Sequence, residues 1–385
     1  MRVVVAPYRF NGSGMTSYSK YLLRALKISG ADVSIVGFDL KGSRVSEVDE
    51  NYISMGADPE YLNLFGGPMV TYAYVRKILT RVLNNIGDFD VIHFIYPGAT
   101  VRPKNSDAKI FTSAWGFQSP LEVISEAPKN FNGYMRYLSV IHGLEHYYLD
   151  KNGYEVSDAI AGTTTRTIEF WNDRLTVLKG RYIPPPVDVP NDGISSMQYK
   201  NSDTVTITVG ERDLNRARNN VDSILAAAKM CFDRRTKNFK LYLVGNANKR
   251  LLEWISSLQG RGLQIEHIPY LARKEFHALL NKTDICLIPR IIKDQGGYWP
   301  LEAMARGCAV IASDIPAFRD FVIDGYNGFL INPRDPLEIS QKIESLLGDR
   351  ETLFRLQLNA QRFIKSTHSP EKVGKILLRY YEEIE

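Results

Sequence analysis

The 385-residue sequence has little of what builds metal or disulfide frameworks. Its three cysteines, Cys231, Cys286 and Cys308, are far apart and odd in number. That excludes a disulfide scaffold and a thiolate zinc site, and fits a reducing compartment such as the cytoplasm. No run of 18 apolar residues occurs, so no spanning helix is expected. The opening MRVVVAPYRF has too short an apolar stretch for a secretory signal and reads as a buried first strand. A dominant charge is also lacking: 48 Lys and Arg against 43 Asp and Glu leave a formal net charge of +5. Such a balance permits an anionic ligand or a peripheral membrane contact but does not call for nucleic acid. Oligomeric state is not fixed by any of this.

What is present is a folding composition, 44% hydrophobic and 24% charged, in a chain long enough for two domains. Strand and helix patterns alternate from the start. VVVA (3–6) is a short apolar run, YSKYLLRALKISG has helical spacing and stops at Gly30, and VSIVGF (33–38) is the next strand. Further strands are expected at 91–95, 110–113 and 159–162. Between 70 and 87, Val75, Ile78, Leu79, Val82, Leu83 and Ile86 trace one apolar face, with Arg76, Lys77 and Arg81 off it. This is either a helix packed on a sheet or a basic membrane-surface helix. The proline cluster Pro184, Pro185, Pro186 and Pro190 breaks the pattern, and the alternation restarts at TVTITVG (204–210). The chain thus divides into a domain over 1–190, a linker over 191–203, a second domain over 204–367 and a terminal segment over 368–385. Two parallel, doubly wound α/β halves imply a ligand site in a cleft.

One stretch concentrates the chemistry: DQGGYWPLEAMARGCAVIASD, from Asp294 to Asp314. Pro300 suits the first turn of a helix, Gly307 ends it, and CAVIAS follows as a buried strand. Gly296 and Gly297 leave backbone N–H groups open beside that helix start, and Glu302 lies in its first turn. A capping box would explain Glu302 alone, but the position three residues earlier is Trp299 rather than Ser or Thr.

The stretch resembles the donor-site signature of retaining glycosyltransferases of family 4, whose pattern is Glu, seven residues, Glu, followed by EAMACG and a strand. The resemblance implies the GT-B fold, two Rossmann-like doubly wound domains facing across a cleft. It further implies transfer of a sugar from a UDP- or GDP-sugar to a glycan, lipid or other hydroxyl acceptor, with no bound metal and no cofactor beyond the donor. Glu302 would bind the ribose hydroxyls and Asp294 the sugar. Gly296, Gly297 and Tyr298 would meet the donor. VGERDLNRARNNVDSIL resembles the family's diphosphate turn, which assigns Arg212 and Arg218, with Arg216 as substitute, to the leaving group. The N-terminal FNGSGMTSYSKYLLRAL matches the glycine-rich loop that approaches the donor, through Gly12 and Gly14, and DFDVIHFIYP supplies His93 as a catalytic candidate. The final helix, EKVGKILLRYYEEIE, looks like one that returns to the first domain.

Two departures stand out. Asp294 is one methylene shorter than the family's glutamate, and Trp115 replaces the histidine expected in FTSAWGF, which leaves Trp115 and His142 as acceptor-side candidates. Two formal metal motifs read as incidental: Asp88-Phe89-Asp90 enters a strand, and His142-Gly-Leu-Glu145-His146 lacks a third ligand. The rival functions are a catalytically inactive sugar-nucleotide or glycan binder and an NAD-dependent oxidoreductase. The latter needs a third glycine where the chain has Ser17.

Overall fold

The computed structural model describes residues 1–8, 14–39, 51–57, 67–104, 106–115, 120, 133–176, 180–190, 204–235, 238–291 and 297–384. The chain forms two compact units, residues 1–186 with 370–385, and residues 187–369.

In the first unit, β1 (Arg2–Tyr8), β2 (Asp32–Asp39), β3 (Tyr52–Ala57), β4 (Val91–Phe94), β5 (Lys109–Ala114), β6 (Ala159–Gly162) and β7 (Gly180–Tyr182) make one sheet. Its order is β3-β2-β1-β4-β5-β6-β7, and every pairing is parallel. Val3, Val4, Val5 and Ala6 are wholly buried, because helices cover both faces of such a sheet and no side of the strand meets water. The helices are α1 (Gly14–Ile28), α2 (Gly67–Leu83), α3 (Gly133–Val156), α4 (Thr165–Asn172) and the terminal α12 (Pro370–Glu383). The expected strands at 91–95, 110–113 and 159–162 are β4, β5 and β6 within a residue. β3 and β7 were not anticipated.

Helix α12 packs on α1 so closely that a Cβ on Gly374 would lie 2.1 Å from the Ala25 carbonyl oxygen. It is tied further by Arg181 to Glu383 at 2.5 Å and by the Tyr380 hydroxyl donating to the Ile160 carbonyl at 3.3 Å. The terminal helix therefore belongs to the first unit. A comparable approach joins α3 to the turn at Pro97–Ala99, where a Cβ on Gly153 would stand 1.9 Å from the Pro97 carbonyl oxygen.

The second unit holds β8 (Val205–Asp213), β9 (Phe239–Asn246), β10 (Ile265–Ile268), β11 (Ile285–Ile288), β12 (Ala309–Ser313) and β13 (Gly328–Ile331), in the order β10-β9-β8-β11-β12-β13. All pairings are again parallel. The helices are α5 (Val221–Asp233), α6 (Lys249–Gly260), α7 (Arg273–Leu280), α8 (Trp299–Ala305), α9 (Pro316–Arg319), α10 (Pro336–Gly348) and α11 (Arg350–Thr367). The strand order reverses between β8 and β11. In an open parallel sheet that switch point leaves a crevice at the carboxyl ends of the strands, where ligands bind. In the first unit the same reversal falls between β1 and β4.

Candidate functional site

At the switch point of the second sheet, the ends of β8 and β11 are joined by an ion pair. Arg290 Nε donates to Glu211 Oε1 at 2.8 Å, and Arg290 Nη2 lies 2.6 Å from the same oxygen. Both side chains are about nine-tenths buried, with 12% and 10% exposed. The backbone closes over the pair. Gly297 has φ +72, and a Cβ there would stand 2.7 Å from Arg290 Nη1. Gly245, at φ +140, would place a Cβ 1.9 Å from the Glu211 carbonyl oxygen. Only glycine fits either position. The β8–α5 loop is stitched to β11 by Ile291 N donating to Arg218 O at 3.0 Å. Asn219 Nδ2, donating to Asp213 O at 2.7 Å, holds the loop in shape.

Helix α8 begins with Pro300 in its first turn, and Gly307 at φ +78 follows its end, as the spacing predicts. Glu302 is only 5% exposed. Its Oε1 accepts from Arg273 Nη2 at 2.5 Å and lies 3.5 Å from His277 Nε2, both residues of α7. Arg306 completes the cluster: Nη1 donates to the Glu302 carbonyl at 3.0 Å and Nη2 lies 3.0 Å from His277 Nδ1. Burial alone would raise the Glu302 pKa. The bond from His277 and the charges of Arg273 and Arg306 outweigh it and hold the carboxyl below its ordinary value. An ionised, buried carboxylate held by donors from a second helix can accept hydrogen bonds from hydroxyls.

The predicted residues fall on several elements of the two units. Arg212, near the end of β8, and Arg216 and Arg218, on the β8–α5 loop, are exposed, with Arg216 Nε 3.5 Å from Asp213. A pocket of about 190 Å³ opens beside them, lined in part by Leu214, Arg216, Asn220, Asn248 and Trp254 at the starts of α5 and α6. Tyr298 is buried at the N-cap of α8, and Gly14 opens α1. Asp294, Gly296 and Gly12 lie outside the described residues. His142 is exposed on α3. Trp115 Nε1 donates to the Ile95 carbonyl at 3.1 Å, and its ring meets Tyr18 edge-on at 4.1 Å.

His93 requires a correction. The expectation of a catalytic histidine does not hold, because the ring is wholly buried with both nitrogens engaged. Nδ1 meets the Tyr381 hydroxyl at 2.5 Å, and Nε2 meets Ser113 Oγ at 2.8 Å. Ser113 Oγ in turn lies 3.0 Å from the Tyr18 hydroxyl. Burial pushes the imidazole pKa down to about 3, so the ring is neutral. His93 is a core residue that links β4, β5, α1 and α12. Asp90 is likewise structural, accepting from the backbone N–H of Arg2 at 2.6 Å.

Sequence reasoning missed Glu211, Arg290, Arg273, His277 and Arg306. The first two had a readable signal: each stands at the carboxyl end of a strand flanking the switch point. The partners of Glu302 had none, since the approach of α7 to α8 is a tertiary event.

These features define a chain of two Rossmann-like α/β domains, the GT-B class. Residues 200–363, nearly all of the second unit, match the family model described as Glycosyl transferases group 1. Phosphatidyl-myo-inositol mannosyltransferase of Mycolicibacterium smegmatis is 24% identical over 364 residues, 91% of this chain and 85% of that protein. Curated relatives at 30, 32 and 33% identity, all named as glycosyl- or mannosyltransferases, are matched over only 41, 30 and 21% of their own lengths. The chain therefore spans less than half of each. Among solved structures, sucrose-phosphate synthase of Thermosynechococcus elongatus superposes with a TM-score of 0.72 at 17% identity, covering 100% of this chain and 98% of that one. A mutant of S. aureus TarM, in complex with Fondaparinux, alpha-GlcNAc-glycerol and UDP, superposes with a TM-score of 0.71 at 12% identity, covering 99% and 100%.

Proposed function

We propose that the protein is a retaining glycosyltransferase that moves a sugar from a nucleotide-sugar donor to a hydroxyl acceptor. The observation that carries this reading is Glu302, a buried and ionised carboxylate in the first turn of α8, inside the segment that matches the glycosyl transferases group 1 model. The second unit binds the donor. Glu302 accepts the ribose hydroxyls, and Arg273 and His277 keep its carboxylate oriented and charged. Arg212 and Arg218 neutralise the diphosphate as the glycosyl bond breaks, with Arg216 as the alternative cation. Two guanidinium groups do the work that a divalent cation would do, so the transfer is metal-independent and a chelator leaves the rate unchanged. The anomeric carbon is attacked from the face the leaving group departs, and a phosphate oxygen of the donor takes the acceptor's proton. TarM's complex with UDP supports a uridine donor, and the mannosyltransferase names of the relatives support a hexose. A lipid or glycan hydroxyl is the acceptor class.

The test is thermal unfolding with UDP, GDP, ADP and NAD in turn, for the native chain and for Glu302→Ala. A ligand at 100 times its dissociation constant stabilises by about 2.7 kcal/mol. A shift with one nucleoside diphosphate that disappears in Glu302→Ala supports the site and names the base. Stabilisation by NAD alone would sink the glycosyl-transfer reading. For the leaving-group role, Arg212→Ala and Arg218→Ala are compared by turnover. Undiminished kcat in both removes these arginines from the mechanism.

A further inference from the structure

Helix α2 presents an outer face of one consistent chemistry. Met69, Val70, Ala73, Tyr74, Lys77 and Arg81 are all exposed, and at 100° per residue they fall on one side of the helix. The opposite side, carrying Thr71, Tyr72, Val75, Leu79 and Leu83, is buried in the core of the first unit. The exposed side divides along its length. Its first two turns are apolar, with Met69 52%, Val70 49% and Tyr74 39% exposed. Its later turns carry Lys77 and Arg81, neither of which makes an ion pair among the described residues. The helix, GPMVTYAYVRKILTRVL, contains no acid at all.

Arg76 behaves differently from these exposed cations. Its guanidinium turns inward, Nε donating to the Gly98 carbonyl at 2.7 Å and Nη1 to Asn152 Oδ1 at 2.9 Å. That contact brings α3 alongside α2, and α3 adds further exposed aromatics, Tyr137 at 64% and Tyr148 at 61%. The exposed acid of this part of α3, Glu155, lies 3.6 Å from Lys151 and is neutralised by it. No helix among the described residues is long and apolar enough to cross a membrane. The face is that of a helix lying in an interface: aliphatic and aromatic groups to enter the headgroup boundary, cations beside them, and no carboxylate on the helix itself to be repelled.

We propose that the outer face of α2 docks the protein on an anionic lipid surface, Met69, Val70 and Tyr74 entering the bilayer boundary and Lys77 and Arg81 pairing with acidic headgroups. This goes beyond the transfer reaction and does not depend on it. The experiment is flotation of the full chain with vesicles of phosphatidylcholine alone and of phosphatidylcholine mixed with phosphatidylglycerol, at low and high salt. Binding to the mixed vesicles, weakened by salt, is expected, with little on the neutral ones. Each cation near an acidic surface strengthens binding by about fivefold, so Lys77→Gln with Arg81→Gln lowers the partition coefficient by about thirtyfold. The same loss of charge at Lys282 and Lys365, in the second unit, leaves it within about twofold if the face, and not net charge, is what binds. Met69→Ser with Val70→Ser reduces the binding that survives high salt. All six positions are at the surface, so thermal unfolding confirms that each variant is folded, and the salt and lipid dependence of the native chain is a second reading that needs no variant. Absence of binding to the mixed vesicles would overturn the proposal. So would equal loss from the two lysine–arginine and lysine–lysine pairs, or a dimer in light scattering that the Met69 and Val70 changes dissolve, since a second copy of the chain would then cover the face.

Discussion

Arg290 and Glu211 meet across the ends of two neighbouring strands, with Nη2 2.6 Å from Oε1, at the point where the second sheet reverses its strand order. The pair is buried and roofed by Gly297, so the residue that leads into α8 is seated on a charged floor rather than an apolar one. Removing two charges from water is costly, and a buried pair is weak evidence for stability. Its place at the switch point favours a geometric role: it fixes where the ends of β8 and β11 stand relative to each other, and with them Arg212 at the end of β8 and the following loop that bears Arg218.

Breaking that pair from either side removes a short charged contact from a buried place, and loss of Arg290 leaves the Glu211 carboxylate there without its guanidinium. Glu211→Ala or Arg290→Ala is expected to destabilise by about 3–5 kcal/mol, as for other buried pairs. Joint replacement by Glu211→Gln and Arg290→Met recovers much of the loss, because neither site then holds an ion. A double-mutant cycle in urea measures both. Additive losses in the cycle would show that the two side chains act independently.

Gly297 sits over Arg290 at a positive φ, so an added methyl group is disfavoured twice, by backbone strain and by contact with Nη1. Gly297→Ala is expected to cost about 1–3 kcal/mol and to weaken nucleoside diphosphate binding by displacing Arg290. The control is Gly260→Ala, where a Cβ meets nothing within 4 Å. If the two variants unfold at the same temperature, the tight fit at Gly297 has no energetic weight.

The alternation of apolar runs and helical spacings was enough to read a doubly wound fold, since VVVA, AIAG and CAVIA are apolar throughout, as suits strands buried on both faces. The short edge strands β3 and β7 escaped notice because YISMGA and GRY have neither strong periodicity nor flanking signals. Glu302 was legible because its helix start is written locally, in Trp299, Pro300 and Gly307. Its cage was not, because Arg273, His277 and Arg306 reach it from 29, 25 and 4 positions away, and no spacing rule spans the first two distances. His93 misled for the same reason. A histidine in a strand looks the same whether its partners are a substrate or, 288 residues later, Tyr381.

Glu302 has its pKa held below the ordinary glutamate range in the folded chain, burial being outweighed by His277, Arg273 and Arg306. The sign follows from linkage. An acid with a depressed folded pKa adds stability that is present above its unfolded pKa, about 4.3, and is lost as pH falls through the folded value. The melting temperature of the native chain should therefore converge with that of Glu302→Gln in strong acid and exceed it near neutrality. Nucleotide affinity should follow the same course, since the neutral acid is a poorer acceptor for ribose hydroxyls. A constant difference between the two proteins across this range would mean that the Glu302 charge plays no part.

His93 separates a structural from a chemical role. Truncation to alanine opens a cavity, leaves the buried Tyr381 hydroxyl without its ring partner and leaves Ser113 with Tyr18 alone, and is expected to cost about 2–5 kcal/mol. A catalytic histidine would instead show a large fall in kcat at nearly native stability. The acid side gives a second reading. The folded imidazole titrates at about 3 and the unfolded one at about 6.5, so between these values the unfolded chain binds more protons and stability drops as pH falls. His93→Gln keeps hydrogen-bonding groups at the site but cannot titrate, so it makes that slope shallower. His368, also pushed down to about 3 by burial, keeps the slope from vanishing. An unchanged slope in His93→Gln, with normal stability and lost turnover, would return His93 to the chemistry.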